Sequence, residues 1–165
     1  MGKRKDRIQV QQTFLFEGKS NRKHFLKHLI LERNYTTMAE VGVRDGRTTF
    51  FLLDNIPQLK IFAIDNNIKL FYNNNVKNKY QDRLVPIEGD SSSVANQIPA
   101  VDLIFIDADH SYKGVCKDID AYKSKINPKG LFCGHDIDYP GVNKAVKEKI
   151  KNFEVGPNFV WLANF

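Results

Sequence analysis

Ala39-Glu40-Val41-Gly42-Val43-Arg44-Asp45-Gly46-Arg47-Thr48-Thr49 follows a short apolar run and precedes Phe50-Phe51-Leu52-Leu53, the order of a strand, a glycine turn and a helix start. Gly42 and Gly46 lack a Cβ, so this turn can be tight and its backbone can approach a ligand closely. Thr48 or Thr49 offers a hydroxyl near the helix N-terminus, where unpaired N–H groups favour an anion. The spacing is E-x-G-x-x-x-G rather than the G-x-G-x-x-G of dinucleotide sites. A carboxylate at the tip of the first strand, Glu40, suits a cationic group better than a pyrophosphate.

Outward from this turn, strands and helices alternate. Ser20 is a plausible cap for a helix from Asn21 to about Asn34, with Phe25/Leu29 and Leu26/Ile30 on one face. Strands are expected at 37–41, 59–65, 84–87, 101–107 and 131–133, with Pro86 marking 84–87 as an edge. Between them, Asn66 and Asn67 can cap a helix carrying Ile68, Tyr72 and Val76. Val115, Ile119, Tyr122 and Ile126 form a second stripe, and Asn127-Pro128-Lys129-Gly130 a turn. Pro140-Gly141 opens a last helix bearing Val142, Val146 and Ile150. Residues 153–155 and 159–162 flank Gly156-Pro157-Asn158 as a hairpin. The pattern predicts an α/β fold: a doubly wound, mostly parallel seven-stranded sheet ending in an antiparallel hairpin.

Glu40-Val41-Gly42-Val43-Arg44-Asp45-Gly46 resembles the first motif of class I S-adenosylmethionine-dependent methyltransferases, whose Rossmann-like fold also ends in such a hairpin. The resemblance spans about residues 36–165 and makes 20–165 a single methyltransferase domain, with 1–19 a basic tail and lead-in. It implies S-adenosylmethionine as cofactor, its ammonium and sulfonium facing Glu40. Asp65 stands at the distance from Glu40 at which an acid accepts from a ribose diol; a helix cap is the other reading. The family's pattern puts Asn66 near the adenine and Gly89-Asp90-Ser91 in the adenine-contacting loop, though Ser91 can equally serve as a cap.

The strand tips carry Glu40, Asp65, Glu88 to Asp90, Asp107 and His135-Asp136. Acids gathered at one sheet edge repel unless cations or donors neutralise them, and this convergence points to a site. Asp107-Ala108-Asp109-His110-Ser111-Tyr112 resembles the D-x-x-H-x-Y stretch of sugar and macrolide O-methyltransferases. In related catechol-type enzymes the acid matching Asp107 binds a divalent metal, alongside an Asp-Asn pair. Here Ile137 interrupts that pair, so a Mg, Mn or similar site would draw on Asp107, Asp136 and His135, or Asp138. Without metal, Asp107 would hold the methionine ammonium with Glu40. Methyl transfer needs alignment and a base with a pKa near neutrality. His110 is the first choice, His135 the second and Lys113 the third; His24 and His28 read as surface residues.

The 165 residues suffice for one domain, and no apolar run approaches the roughly 20 residues of a membrane helix. The first residues are too polar for a signal peptide, so a cytoplasmic protein with no membrane partner is expected. Cys116 and Cys133 are too few and too isolated for a disulfide framework or a zinc site and read as core residues. The net charge is +6, but Lys3, Arg4, Lys5 and Arg7 against Asp6 carry half of it, which argues against nucleic acid as a partner of the folded domain. The expected activity is methyl transfer to a hydroxyl of a small-molecule acceptor, a sugar or other polyhydroxy compound. The alternatives are a nucleic-acid or protein methyltransferase and a catalytically silent cofactor-binding domain. With no large insertion between the late strands, the pocket is open, or completed by segment 8–20 or by a second subunit in a homo-oligomer.

Overall fold

The computed structural model describes residues 21–163, so the basic tail, the Ser20 cap and the covering segment 8–20 lie outside the described residues. Five parallel strands, β1 (Thr37–Val41), β2 (Lys60–Asp65), β3 (Leu84–Glu88), β4 (Val101–Ile106) and β5 (Ile126–Gly134), lie in the order β3-β2-β1-β4-β5. β7 (Trp161–Ala163) runs antiparallel beside β5, and β6 (Phe153–Val155) antiparallel beside β7. The expected doubly wound sheet with its terminal hairpin is therefore present, and Pro86 does sit on the edge strand.

The helices are α1 (Arg22–Glu32), α2 (Arg47–Asn55), α3 (Asn74–Tyr80), α4 (Ser91–Val94), α5 (Tyr112–Tyr122) and α6 (Pro140–Lys149). Period-two alternation along the strands divides the core between the two faces. Ala39, Val41, Ile64, Ile104, Ile106 and Phe132 pack with α5 and α6 through Val115, Ile119, Val142 and Val146. Met38, Ile61, Ala63, Leu103, Phe105 and Cys133 pack with α1 and α2 through Phe25, Leu26, Leu52 and Leu53. Glu40, between Ala39 and Val41, is thus turned toward the α1/α2 side.

Several local expectations are corrected. Asn21 caps α1, its side chain accepting from Lys23 N at 3.3 Å. Asn66 and Asn67 cap no helix with their side chains: a 3-10 turn, Ile68–Leu70, comes first, and Asn73 caps α3 by accepting from Asn75 N and Val76 N. The α5 stripe ends at Tyr122, and Ile126 starts β5 instead. Asn127 to Gly130 form an irregularity within that strand, between the pairs Val101/Ile126 and Leu103/Leu131. His24 and His28 are half-buried rather than surface residues, His24 against the Phe51 ring.

Gly42 shows why the first turn needs glycine. Its φ is +91°, and a Cβ there would overlap the Asp107 carbonyl and come within 2.6 Å of Ala108 Cα. The β1 tip therefore needs glycine to pass the β4 tip, before any ligand is considered. Gly42→Ala is expected to lower unfolding free energy by about 2 kcal/mol or more, read from urea denaturation; a change within 0.5 kcal/mol, roughly the scatter of neutral surface substitutions, would contradict this account.

Candidate active site

Hydrogen bonds tie the strand tips into one row. Gly89 N donates to the Asp65 carbonyl (3.0 Å), Gly42 N to Ile64 (2.8 Å), Asp107 N to Val41 (2.8 Å) and His135 N to Ile106 (3.0 Å). Successive strands thus end at one level, and the chain changes winding direction between β1 and β4, where open α/β sheets leave a crevice. A cavity of about 750 Å³ opens there, lined by Gly42, Arg44, Thr48, Asp65, Asn66, Gly89, Asp90, Ser91, Asp107, His110 and Asp136 among others. That volume suits a nucleoside with an amino-acid arm.

At the β2/β3 end, Asp65 Oδ2 accepts from Arg44 N at 2.7 Å and Oδ1 from Asn67 N at 2.9 Å. The carboxylate is thereby fixed with lone pairs left over. Asp90 caps α4, accepting from Ser93 N and from the Ser92 and Ser93 hydroxyls; Ser93 first, then Ser92, hold its pKa below the ordinary carboxylate value. Ser91 donates to Asp118 Oδ1 at 2.5 Å, and Tyr122 Oη donates to the Ser91 carbonyl at 2.7 Å. Asp118 was not foreseen. It is 1% exposed, and burial, with Asp90 and Asp109 adding, raises its pKa to about 6. Its signal was present as an acid inside the Val115/Ile119/Tyr122 stripe.

At the β1/β4 tip, Glu40 is 2% exposed and lies behind the cavity wall rather than in it. Of the two threonines left open, Thr49 engages Glu40, donating to Oε2, while Thr48 lines the cavity. Burial foremost, then Asp107 and Asp65, raise the Glu40 pKa to about 8 against the opposing Thr49 bond and Arg22 charge. Asp107, whose side chain is 9% exposed, pairs through Oδ2 with Arg22 Nη2 at 3.1 Å. Arg22, from the start of α1, gave no sequence signal.

At the β4/β5 end, His110 Nε2 lies 2.8 Å from Asp136 Oδ2 and 4.0 Å from Asp107 Oδ1. The His110 ring is 41% exposed and 5.0 Å from the ring of Tyr139. His135 is more enclosed: Nδ1 lies 2.7 Å from Asp136 Oδ1 and 3.5 Å from Asp107 Oδ1, with no accessible surface on that atom. Burial acts to lower its pKa, but Asp107 and Asp136 prevail and raise it. Among the described residues, the cluster with metal-binding chemistry is Asp107, His110 and Asp136, one ligand atom of each within 4.8 Å of the others. The sequence pairing of Asp107 and Asp136 with His135 brings the same acids together around a histidine whose Nδ1 is walled off. Asp138 is exposed and Lys113 does not line the cavity.

No helix among the described residues is long and apolar enough to cross a membrane. Among curated proteins none matches the chain in sequence. In three dimensions it is similar to a candidate caffeoyl-CoA O-methyltransferase from Staphylococcus aureus, at 18% identity and TM-score 0.72 over 86% of this chain and 81% of that one. It is also similar to the S-adenosylhomocysteine-bound methyltransferase PaMTH1 of Podospora anserina, at 14% identity and TM-score 0.70 over 87% and 77%. The calicheamicin TDP-rhamnose 3'-O-methyltransferase CalS11 gives 17% identity and TM-score 0.59 over 78% and 71%. A family model described as a methyltransferase domain matches residues 39–137, more than half of the chain and every strand tip from Glu40 to Asp136. On that match the chain belongs to the methyltransferase-domain family, among the class I S-adenosylmethionine-dependent enzymes.

Proposed function

We propose that this protein transfers a methyl group from S-adenosylmethionine to a hydroxyl of a small sugar-like or polyhydroxy acceptor. The observation that carries the reading is the His110–Asp136 contact of 2.8 Å at the open end of the donor cavity. When bound, the sulfonium supplies an already activated methyl group, so the chain has to align the acceptor and remove its proton. Nε2 is the His110 nitrogen in the 2.8 Å contact with Asp136, which leaves Nδ1 as the atom that takes the hydroxyl proton. Asp136 then stabilises the imidazolium. Tyr139, 49% exposed beside His110, offers a flat apolar face to a sugar ring. Asp65 would take the ribose hydroxyls, Asn66, Gly89, Asp90 and Ser91 the adenine, Gly42 and Thr48 the wall, and Asp107 with Glu40 behind it the ammonium; Gly46 stands behind the wall, against the Phe50 ring. The sugar specificity of CalS11 and the D-x-x-H-x-Y spacing at Asp107–Tyr112 favour this acceptor class.

Labelled S-adenosylmethionine incubated with sugars, nucleotide sugars, catechols, RNA and protein tests the reading. Transfer to sugar or polyhydroxy hydroxyls supports it; transfer to RNA or protein alone, or no binding of S-adenosylhomocysteine, overturns it.

The Asp107, His110 and Asp136 donor set also fits a divalent ion, and an imidazole beside two carboxylates favours Mn, Fe or Zn over Mg. Such an ion would polarise the acceptor hydroxyl. Calorimetric titration with Mn²⁺ is expected to give one site that Asp107→Asn abolishes; no heat with the wild-type protein removes the metal from the proposal.

A further inference from the structure

Donor recognition poses a charge problem that the acids alone do not solve. The methionine arm carries an ammonium and a carboxylate on the same carbon, so any group that takes the ammonium brings the carboxylate within a few ångströms. Next to Asp107 and Asp136 that carboxylate would be repelled. A cation adjacent to Asp107 is required, and Arg22 stands there, with Nη2 3.1 Å from Asp107 Oδ2 and its side chain 35% exposed on the cavity wall. Arg44 and Arg47 also line the cavity, but Arg44 is exposed and its backbone N–H meets Asp65 at the ribose end, not Asp107. Arg47 is 84% exposed and pairs with Asp45 at 2.8 Å. Arg22 lies outside the matched residues 39–137, so the family match assigns it nothing.

We infer that Arg22 is an exchangeable counter-ion. In the free protein it neutralises Asp107; when the donor arrives, the ammonium replaces it on Asp107, and the guanidinium turns to the donor carboxylate. A guanidinium has five N–H donors in a planar fork that matches a carboxylate bidentately. Charge is conserved through the exchange: one ion pair is traded for two, and no buried charge is left alone. Arg22 is then a specificity residue for the amino-acid arm, supplied from α1 rather than from the glycine turn.

The inference rests on the methyl-donor reading, and the test separates the two. Calorimetry compares S-adenosylhomocysteine with its decarboxylated analogue, which keeps the nucleoside, the thioether and the ammonium. Arg22→Ala is expected to weaken the parent ligand about 10–100-fold and not to weaken the analogue, which tightens as its ammonium no longer displaces a cation from Asp107, while Arg47→Ala changes neither. Arg22→Lys, which keeps the charge but not the fork, should fall between, and it decides the matter if the alanine variant does not fold. Equal losses for both ligands, or tighter binding of S-adenosylhomocysteine to Arg22→Ala, would overturn the inference, the second by making Arg22 a competitor only. If the wild-type protein binds neither ligand, the donor reading itself fails.

Discussion

His110→Ala is expected to cut turnover by about 10²–10⁴-fold while S-adenosylhomocysteine affinity stays within about twofold. The split follows from position. The His110 side chain is 41% exposed and meets Asp136 and Tyr139, while Asp65 and the Glu40–Thr49 pair are held by other partners. The donor therefore loses no charged partner when the imidazole is removed, whereas the acceptor hydroxyl loses its proton acceptor. The same ring is also within reach of an ion held by Asp107 and Asp136, and one measurement separates the roles. If His110 is the base, His110→Ala keeps its Mn²⁺ affinity while turnover falls. If it is a ligand, Mn²⁺ affinity falls together with turnover. Unimpaired turnover would move proton removal to His135, the other histidine at the same two carboxylates.

The fold and the row of strand-tip acids were legible because both follow from short-range patterns. Apolar runs such as Leu103 to Ile106 are what strands covered on both faces require, and an acid just beyond such a run must lie at the sheet edge. The errors were competitions between neighbours of equal local merit. Asp65 takes the Asn67 N–H, so the cap passes to Asn73. Ile126 continues the α5 spacing, yet it pairs opposite Val101 in the sheet, and tertiary pairing prevails over helical period. Arg22 was out of reach altogether: its partner Asp107 lies far along the chain, and nothing local distinguishes it from other helix-start arginines. Asp118 was within reach, since a carboxylate in an otherwise apolar stripe demands a partner, and Ser91 supplies it.

Glu40→Gln should change donor affinity and stability in opposite directions. In the free protein, burial and the nearby acids carry the Glu40 pKa from its ordinary 4.5 to about 8. Between those values the folded chain holds a proton that the unfolded chain has released, so stability falls as pH rises through this window and levels off above it. Glutamine keeps the shape and an oxygen for the Thr49 hydroxyl, but it has no charge to bury. The variant should match wild type near pH 4 and exceed it above pH 8 by on the order of a few kcal/mol, read by urea denaturation at both values. Donor binding reverses the sign, because S-adenosylmethionine brings a sulfonium besides its zwitterionic arm, and that added positive charge favours ionised Glu40. Wild-type S-adenosylmethionine affinity should therefore rise as pH approaches 8, with proton release detectable by calorimetry in buffers of different ionisation heat. Glu40→Gln should bind about 10–100-fold more weakly and release no proton from this site. A variant less stable than wild type at high pH, or one with the same proton release, would mean that Glu40 is not the buried acid that senses the donor.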